Sequence, residues 1–204
     1  MSDERPKNLS ATEALEQLTI GNQRFVAGIA EHPHSDAARR LELAKGQQPF
    51  ATIITCADSR VPVELVFDQG LGDLFVIRVA GNIADDAVLG SVEYASLHLG
   101  VNLVLVMGHR SCGAVGAAVD YLNVQGSATG THIDALIDAI RPAVREAESQ
   151  GSEDLLERSV RANATMVAAQ IRSSEPVLAG LSERGVVVQP AYYDLESGEV
   201  GWLS

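Results

Sequence analysis

VNLVLVMGHRSCGAVGAAVDYL (Val101–Leu122) changes character at its midpoint. Val101–Gly108 is an apolar run broken only by Asn102, the composition of a strand buried on both faces. From about Cys112 onward, small and apolar residues read as a helix. A buried strand that turns directly into a helix belongs to an α/β protein with a mainly parallel sheet.

The same alternation extends in both directions. Upstream, FATIITC (Phe50–Cys56) and DLFVIRVA (Asp73–Ala80) read as strands. DDAVLGSVEYASLHLG (Asp85–Gly100) reads as a helix, with acids at its start and Gly at its end. Nearer the N-terminus, SATEALEQLTIGNQRF (Ser10–Phe25) is a helix whose Ser10 and Glu13 have capping-box spacing. Gly28–Ser35 is a loop, and Ser35–Gly46 a second capped helix. Downstream, Thr131–Ser174 is helical in two pieces parted near Gly151, and Val186–Val188 is a short strand. Tyr192–Leu203 is a hairpin turning at Ser197-Gly198. No Pro/Gly/Ser-rich linker divides the chain, so one domain over 1–204 is expected, with 1–48 as an N-terminal helical arm.

Fifteen basic and 27 acidic residues give a net charge of −12, which argues against nucleic acid and anionic membrane surfaces as partners. The first residues mix acid and base without an apolar run, and no stretch has the length and apolarity to span a bilayer. A cytoplasmic protein in a reducing compartment is expected.

The only two cysteines are Cys56, in CADSR (Cys56–Arg60), and Cys112, in GHRSCG (Gly108–Gly113). They could form a disulfide, sit separately in a core, or hold a metal together. Both motifs follow strands directly, so both lie at the carboxyl ends where sites form in open parallel sheets. His109 and Cys112 have H-x-x-C spacing, and Cys56 adds a second thiolate. Two thiolates and one imidazole suit tetrahedral zinc, and a fourth position left open would make it catalytic. Asp58 and Arg60 fit as an ion pair beside that position. Released from Arg60, Asp58 could instead ligate the metal and close the site. His32, His34, His98 and His132 read as surface or packing residues.

CADSR, FVIRVAGN (Phe75–Asn82), SVEY (Ser91–Tyr94) and GHRSCGAV (Gly108–Val115) resemble a β-class carbonic anhydrase. GNQRF (Gly21–Phe25) and YYDLESGEV add to the likeness, which runs from about Leu15 onward. The resemblance implies one Zn2+ per subunit on Cys56, His109 and Cys112, with Asp58 and Arg60 as a catalytic dyad. It implies a plant-like, open site whose CO2 pocket is lined by Gln47, Phe75 and Tyr94, with Ala80 and Gly113 as small wall residues. Gln47 would come from the neighbouring subunit of a homodimer or dimer of dimers. The implied sheet has core order 2-1-3-4 plus an added strand, and N-terminal helices that wrap the partner. The implied reaction is hydration of CO2 to bicarbonate and a proton through zinc-bound hydroxide. Alternatives are a COS or CS2 hydrolase on the same scaffold, or a zinc-binding, redox-sensing protein without turnover. One departure is Val79, where many members carry Asn.

Overall fold

The computed structural model describes residues 8–124, 126–151 and 153–204; the first seven residues of the expected N-terminal arm lie outside the described residues. The first helix, α1, spans Ala11–Val26 and starts as its sequence dictates. Ser10 Oγ accepts from the Glu13 N–H, and the Glu13 carboxylate accepts from the Ser10 N–H. Removing such a cap costs about 1 kcal/mol. The second helix, α2, is only Ala37–Leu43. Its cap is Asp36, which accepts from Arg39 N–H, and not Ser35, whose hydroxyl turns back to the His32 carbonyl.

Strand β1 (Ala51–Thr55) is buried at every position. One short helical turn follows, α3 (Val63–Val66), which begins directly after Pro62. Strand β2 (Leu74–Arg78) is half-buried with an exposed end. Helix α4 (Asp86–His98) is capped by Asp85, and β3 (Leu103–His109) is fully buried. Helices α5 (Gly113–Asp120), α6 (Ile133–Ser149) and α7 (Leu155–Arg172) follow, then a short α8 (Leu178–Leu181). Strands β4 (Val187–Tyr193) and β5 (Val200–Trp202) end the chain as the expected hairpin.

The sheet order is β2-β1-β3-β4-β5, parallel through β4 and antiparallel at β5. This is the anticipated core order with one added strand. β4 is longer than the three residues Val186–Val188, because Pro190 does not end it. Pro190 lies level with Val106 of β3, and β5 pairs only from Ala191 onward, so the missing N–H breaks no rung there. The extension pairs Tyr193 with His109 at the very end of β3.

Alternate residues of β1 and β3 feed two cores. Ile53, Leu103, Leu105 and Met107 pack with Leu18 of α1 and Phe67. Ile54, Val104 and Val106 pack on the other face with Val92 of α4 and Ala164, Val167 and Ile171 of α7. Each fully buried Val, Leu, Ile, Phe or Met among them contributes about 1.5–3 kcal/mol. Two apolar layers therefore clamp β1 and β3, and the loops leaving their carboxyl ends start from fixed points. Among the described residues, no helix is long and apolar enough to cross a membrane.

Candidate metal centre

Cys56 is the first residue beyond β1, His109 the last of β3, and Cys112 the cap residue of α5. Because β1 and β3 are paired neighbours, these positions converge. One ligand atom from each lies within 4.8 Å of the others, and all three residues are buried. Both cysteines are free thiols, which sets the disulfide reading aside.

The geometry suits zinc. Two Zn–S bonds of about 2.3 Å at the tetrahedral angle put their sulfurs about 3.8 Å apart. The Cys56 and Cys112 sulfurs are 3.9 Å apart. His109 Nδ1 lies 2.9 Å from the Arg110 carbonyl, which accepts its proton. That bond leaves Nε2 as the lone-pair nitrogen, and Nε2 is buried without a hydrogen-bond partner. A buried acceptor beside two thiols, with no proton of its own to give, is suited to a cation.

The two thiols move in opposite directions because they share one proton. Donation from Cys112 favours the thiolate at Cys56 against the effect of burial, with further help from the Gly81 N–H. That same interaction, with burial, pushes Cys112 up, although N–H groups in the first turn of α5 oppose it. A cation in place of the shared proton lets both sulfurs ionise.

Asp58 lies beside this cluster without joining it. Its Oδ1 accepts from the Arg60 backbone N–H and from Nε, each at 2.9 Å, and its Oδ2 accepts from Nη2 at 2.7 Å. The Arg60 hydrogen bonds hold the carboxyl well below the usual carboxylate range, so it is an acceptor only. Its Oδ2 remains 3.8 Å from His109 Nε2. Arg60 Nη2 also donates to the Ser111 carbonyl, at 3.3 Å.

Ala80 is half-buried in the turn after β2, and Gly113 opens α5 next to Cys112, with no atom within 4 Å of where a Cβ would project. The other three expected pocket residues are not brought to the metal cluster of their own chain. Gln47 precedes β1, at the opposite end of the strand from Cys56. The five-residue strand alone spans about 17 Å. Phe75 pairs with Thr52, four residues and so about 13 Å before Cys56. Tyr94 stacks on Phe75 with ring centroids 6.2 Å apart and is 48% exposed. Phe75 and Tyr94 thus form an aromatic pair at the open β2 edge. Of the remaining histidines, His34 meets the Asp73 carboxylate and His98 packs on Tyr94.

Two supports for the site were not singled out from the sequence. Arg78 donates to the carbonyls of Cys56 and Asp58, at 3.2 and 2.6 Å, and so pins the CADSR loop. Its signal was a lone cation in the apolar run LFVIRV. Gly81 donates its N–H to the Cys56 sulfur at 3.3 Å, from a left-handed φ of 72°. Val79, the departure noted above, is half-buried, and its N–H donates to the Thr55 carbonyl at the end of β1.

The family model for carbonic anhydrase matches residues 51–200. Carbonic anhydrase 2 of Mycobacterium tuberculosis is 39% identical over 191 residues, 94% of this chain and 92% of its own. Among solved structures, a β-carbonic anhydrase of Aspergillus fumigatus is 29% identical with a TM-score of 0.71, covering 95% of this chain and 90% of that one. A Coccomyxa β-carbonic anhydrase is 27% identical with a TM-score of 0.73, covering 93% and 86%. Sequence, topology and the Cys-His-Cys cluster agree, and the chain belongs to the β-class carbonic anhydrase family.

Proposed function

We propose that the protein hydrates CO2 reversibly to bicarbonate and a proton, with one Zn2+ per subunit held by Cys56, His109 and Cys112. The observation that carries this reading is the Cys-His-Cys cluster with Asp58 drawn aside by Arg60, so that three ligands converge and a fourth direction is left open. A closed, purely structural zinc site would use a fourth protein ligand. When bound, zinc supplies a Lewis acid that brings water's pKa down to about 7.

The chain's own residues then have distinct tasks. Asp58, as an acceptor only, takes a hydrogen bond from the attacking water and aims its lone pair at the CO2 carbon. Arg60 fixes the carboxylate with three hydrogen bonds and keeps it from swinging onto the cation. Ala80 and Gly113 leave room for a linear, apolar molecule. The new bond joins water oxygen to carbon, the C=O electrons move onto a substrate oxygen, and the displaced proton leaves to buffer.

Gln47, Phe75 and Tyr94 serve this pocket from a neighbouring copy, because within one chain they lie strand-lengths from the cluster. The amide of Gln47 donates to a CO2 oxygen as charge develops there. Support for a homodimer, or a dimer of dimers, comes from the uncapped β2 edge, from exposed Leu65 and Leu71 shortly before it in sequence, and from exposed Ile20 of α1 and Leu41 of α2. We infer further that 1–204 acts as one domain, with 1–48 as its dimer-wrapping arm, in the cytoplasm.

The test is stopped-flow CO2 hydration by zinc-loaded protein at alkaline pH. Fast turnover is expected. Protein that carries one zinc per subunit and does not turn over CO2 overturns the proposal, and hydrolysis of COS by the same sample would assign the alternative substrate.

A further inference from the structure

Asn163 lies in the middle of α7 between two alanines and is only 1% exposed. A buried amide without partners is costly, so its hydrogen bonds mark what it is for. Its Nδ2 donates to the Gly81 carbonyl at 2.8 Å, across 82 residues of sequence. Gly81 in turn donates its N–H to the Cys56 sulfur. The turn is closed by a bond from Asn82 N–H to the Val79 carbonyl. A glycine in a left-handed conformation has no side chain to hold its orientation, and this one is needed because its φ is 72°, where a Cβ would in addition crowd Ile140 Cδ1. The direction of the Gly81 N–H therefore depends on what grips the residue's carbonyl.

We propose that Asn163 is a positioning residue for the metal centre. By holding the Gly81 carbonyl, it keeps the Gly81 N–H aimed at the Cys56 sulfur, and so governs how strongly that sulfur donates to the metal and how long it retains it. The inference rests on the reading of Cys56 as a zinc ligand. Groups that orient a ligand in this way typically change metal affinity 10–100-fold when removed.

The test compares Asn163→Ala with Ser159→Ala. Ser159 is one turn earlier on α7, equally buried, and its hydroxyl has no hydrogen-bond partner. Zinc release to a chelator is expected to be roughly 10–100-fold faster in Asn163→Ala and unchanged in Ser159→Ala. In the cobalt(II)-substituted protein, the thiolate-to-metal charge-transfer band is expected to move to longer wavelength only in Asn163→Ala, because a sulfur that loses an N–H donor gives up electrons more readily. A merely structural asparagine would lower the melting temperature without moving that band. If Asn163→Ala does not fold, Asn163→Ser carries the same readouts, since its hydroxyl bonds within its own helix and does not reach Gly81. Wild-type release and an unmoved band in the folded variant overturn this inference alone. A wild-type protein that takes up neither zinc nor cobalt overturns the metal reading of Cys56, and this inference with it.

Discussion

Gly21 sets two effects against each other. Within α1, replacing glycine by alanine favours the helix by about 1 kcal/mol. At Gly21, however, a Cβ would lie 1.8 Å from the Phe67 carbonyl oxygen, a backbone atom that no rotamer change can move. An ordinary C···O contact of about 3.3 Å requires the helix to retreat by about 1.5 Å. Asn22, the next residue, joins three parts of the chain there. Its Nδ2 donates to the Val66 and Gly198 carbonyls at 3.0 and 2.9 Å, and its Oδ1 accepts from Val200 N–H at 3.0 Å. A shift of that size takes these bonds out of range, and each buried group left unpaired costs about 1–3 kcal/mol. The clash outweighs propensity, and Gly21→Ala should lose about 3 kcal/mol net. For a chain of this size that lowers the melting temperature by roughly 6–12 °C. Gly90→Ala is the matched control: it lies in α4 with nothing within 4 Å of the new Cβ, and should gain about 0.5–1 kcal/mol, or about 1–4 °C. Scanning calorimetry of both variants decides. A Gly21→Ala protein that melts at or above wild type would refute the claim that α1 docks by this close approach.

Asp58→Ala should keep zinc, by elemental analysis, yet slow CO2 hydration by about 10²–10⁴-fold, the range for a positioned proton acceptor. Cys112→Ser should retain well under one zinc per subunit, because an alkoxide does not form where a thiolate does. Asp68 tests the pH linkage. Its buried carboxylate accepts from Arg24 Nε and from the N–H groups of Glu31 and His32, and although burial opposes it, these donors hold its pKa below the ordinary value. A depressed folded-state pKa contributes stability above the unfolded value, near about 4, and loses it as pH falls through the folded value. In urea titrations, wild type should exceed Asp68→Asn by about 2 kcal/mol at pH 7, with the gap closing below about pH 4. A gap that stays constant down to pH 2 would show that the carboxylate charge is not what the donors hold.

The strands legible in the sequence were those buried on both faces, because a continuous apolar run has few other uses. β1 and β3 read clearly for that reason, and the convergence of Cys56, His109 and Cys112 was legible because they sit at or just beyond the ends of those runs. α1 was legible from its cap, since Ser10 and Glu13 satisfy each other locally. The cap of α2 misled by one residue because Ser35 and Asp36 are both good caps, and the choice fell to the loop carbonyl at His32. β4 extends past Val188 through Pro190, a residue without the N–H a strand normally uses, and its place beside the short β5 makes that loss harmless. The separation of Gln47, Phe75 and Tyr94 from the cluster needed the strand register, which spacing along one chain does not contain. Asn163 and Gly81 were invisible as a pair, since an 82-residue hydrogen bond leaves no local pattern.

The pairing of β1 with β3 also fixes when the centre comes into being. Cys56 leaves the ribosome 53 residues ahead of His109. At about 5–20 residues per second, it waits about 3–10 s for its first co-ligand to be synthesised. Even then the ligands stay apart until two strands distant in sequence have found their register, a slow kind of contact. Capture of the proposed zinc is therefore a late event in the birth of this protein, and during synthesis Cys56 is a solitary thiol.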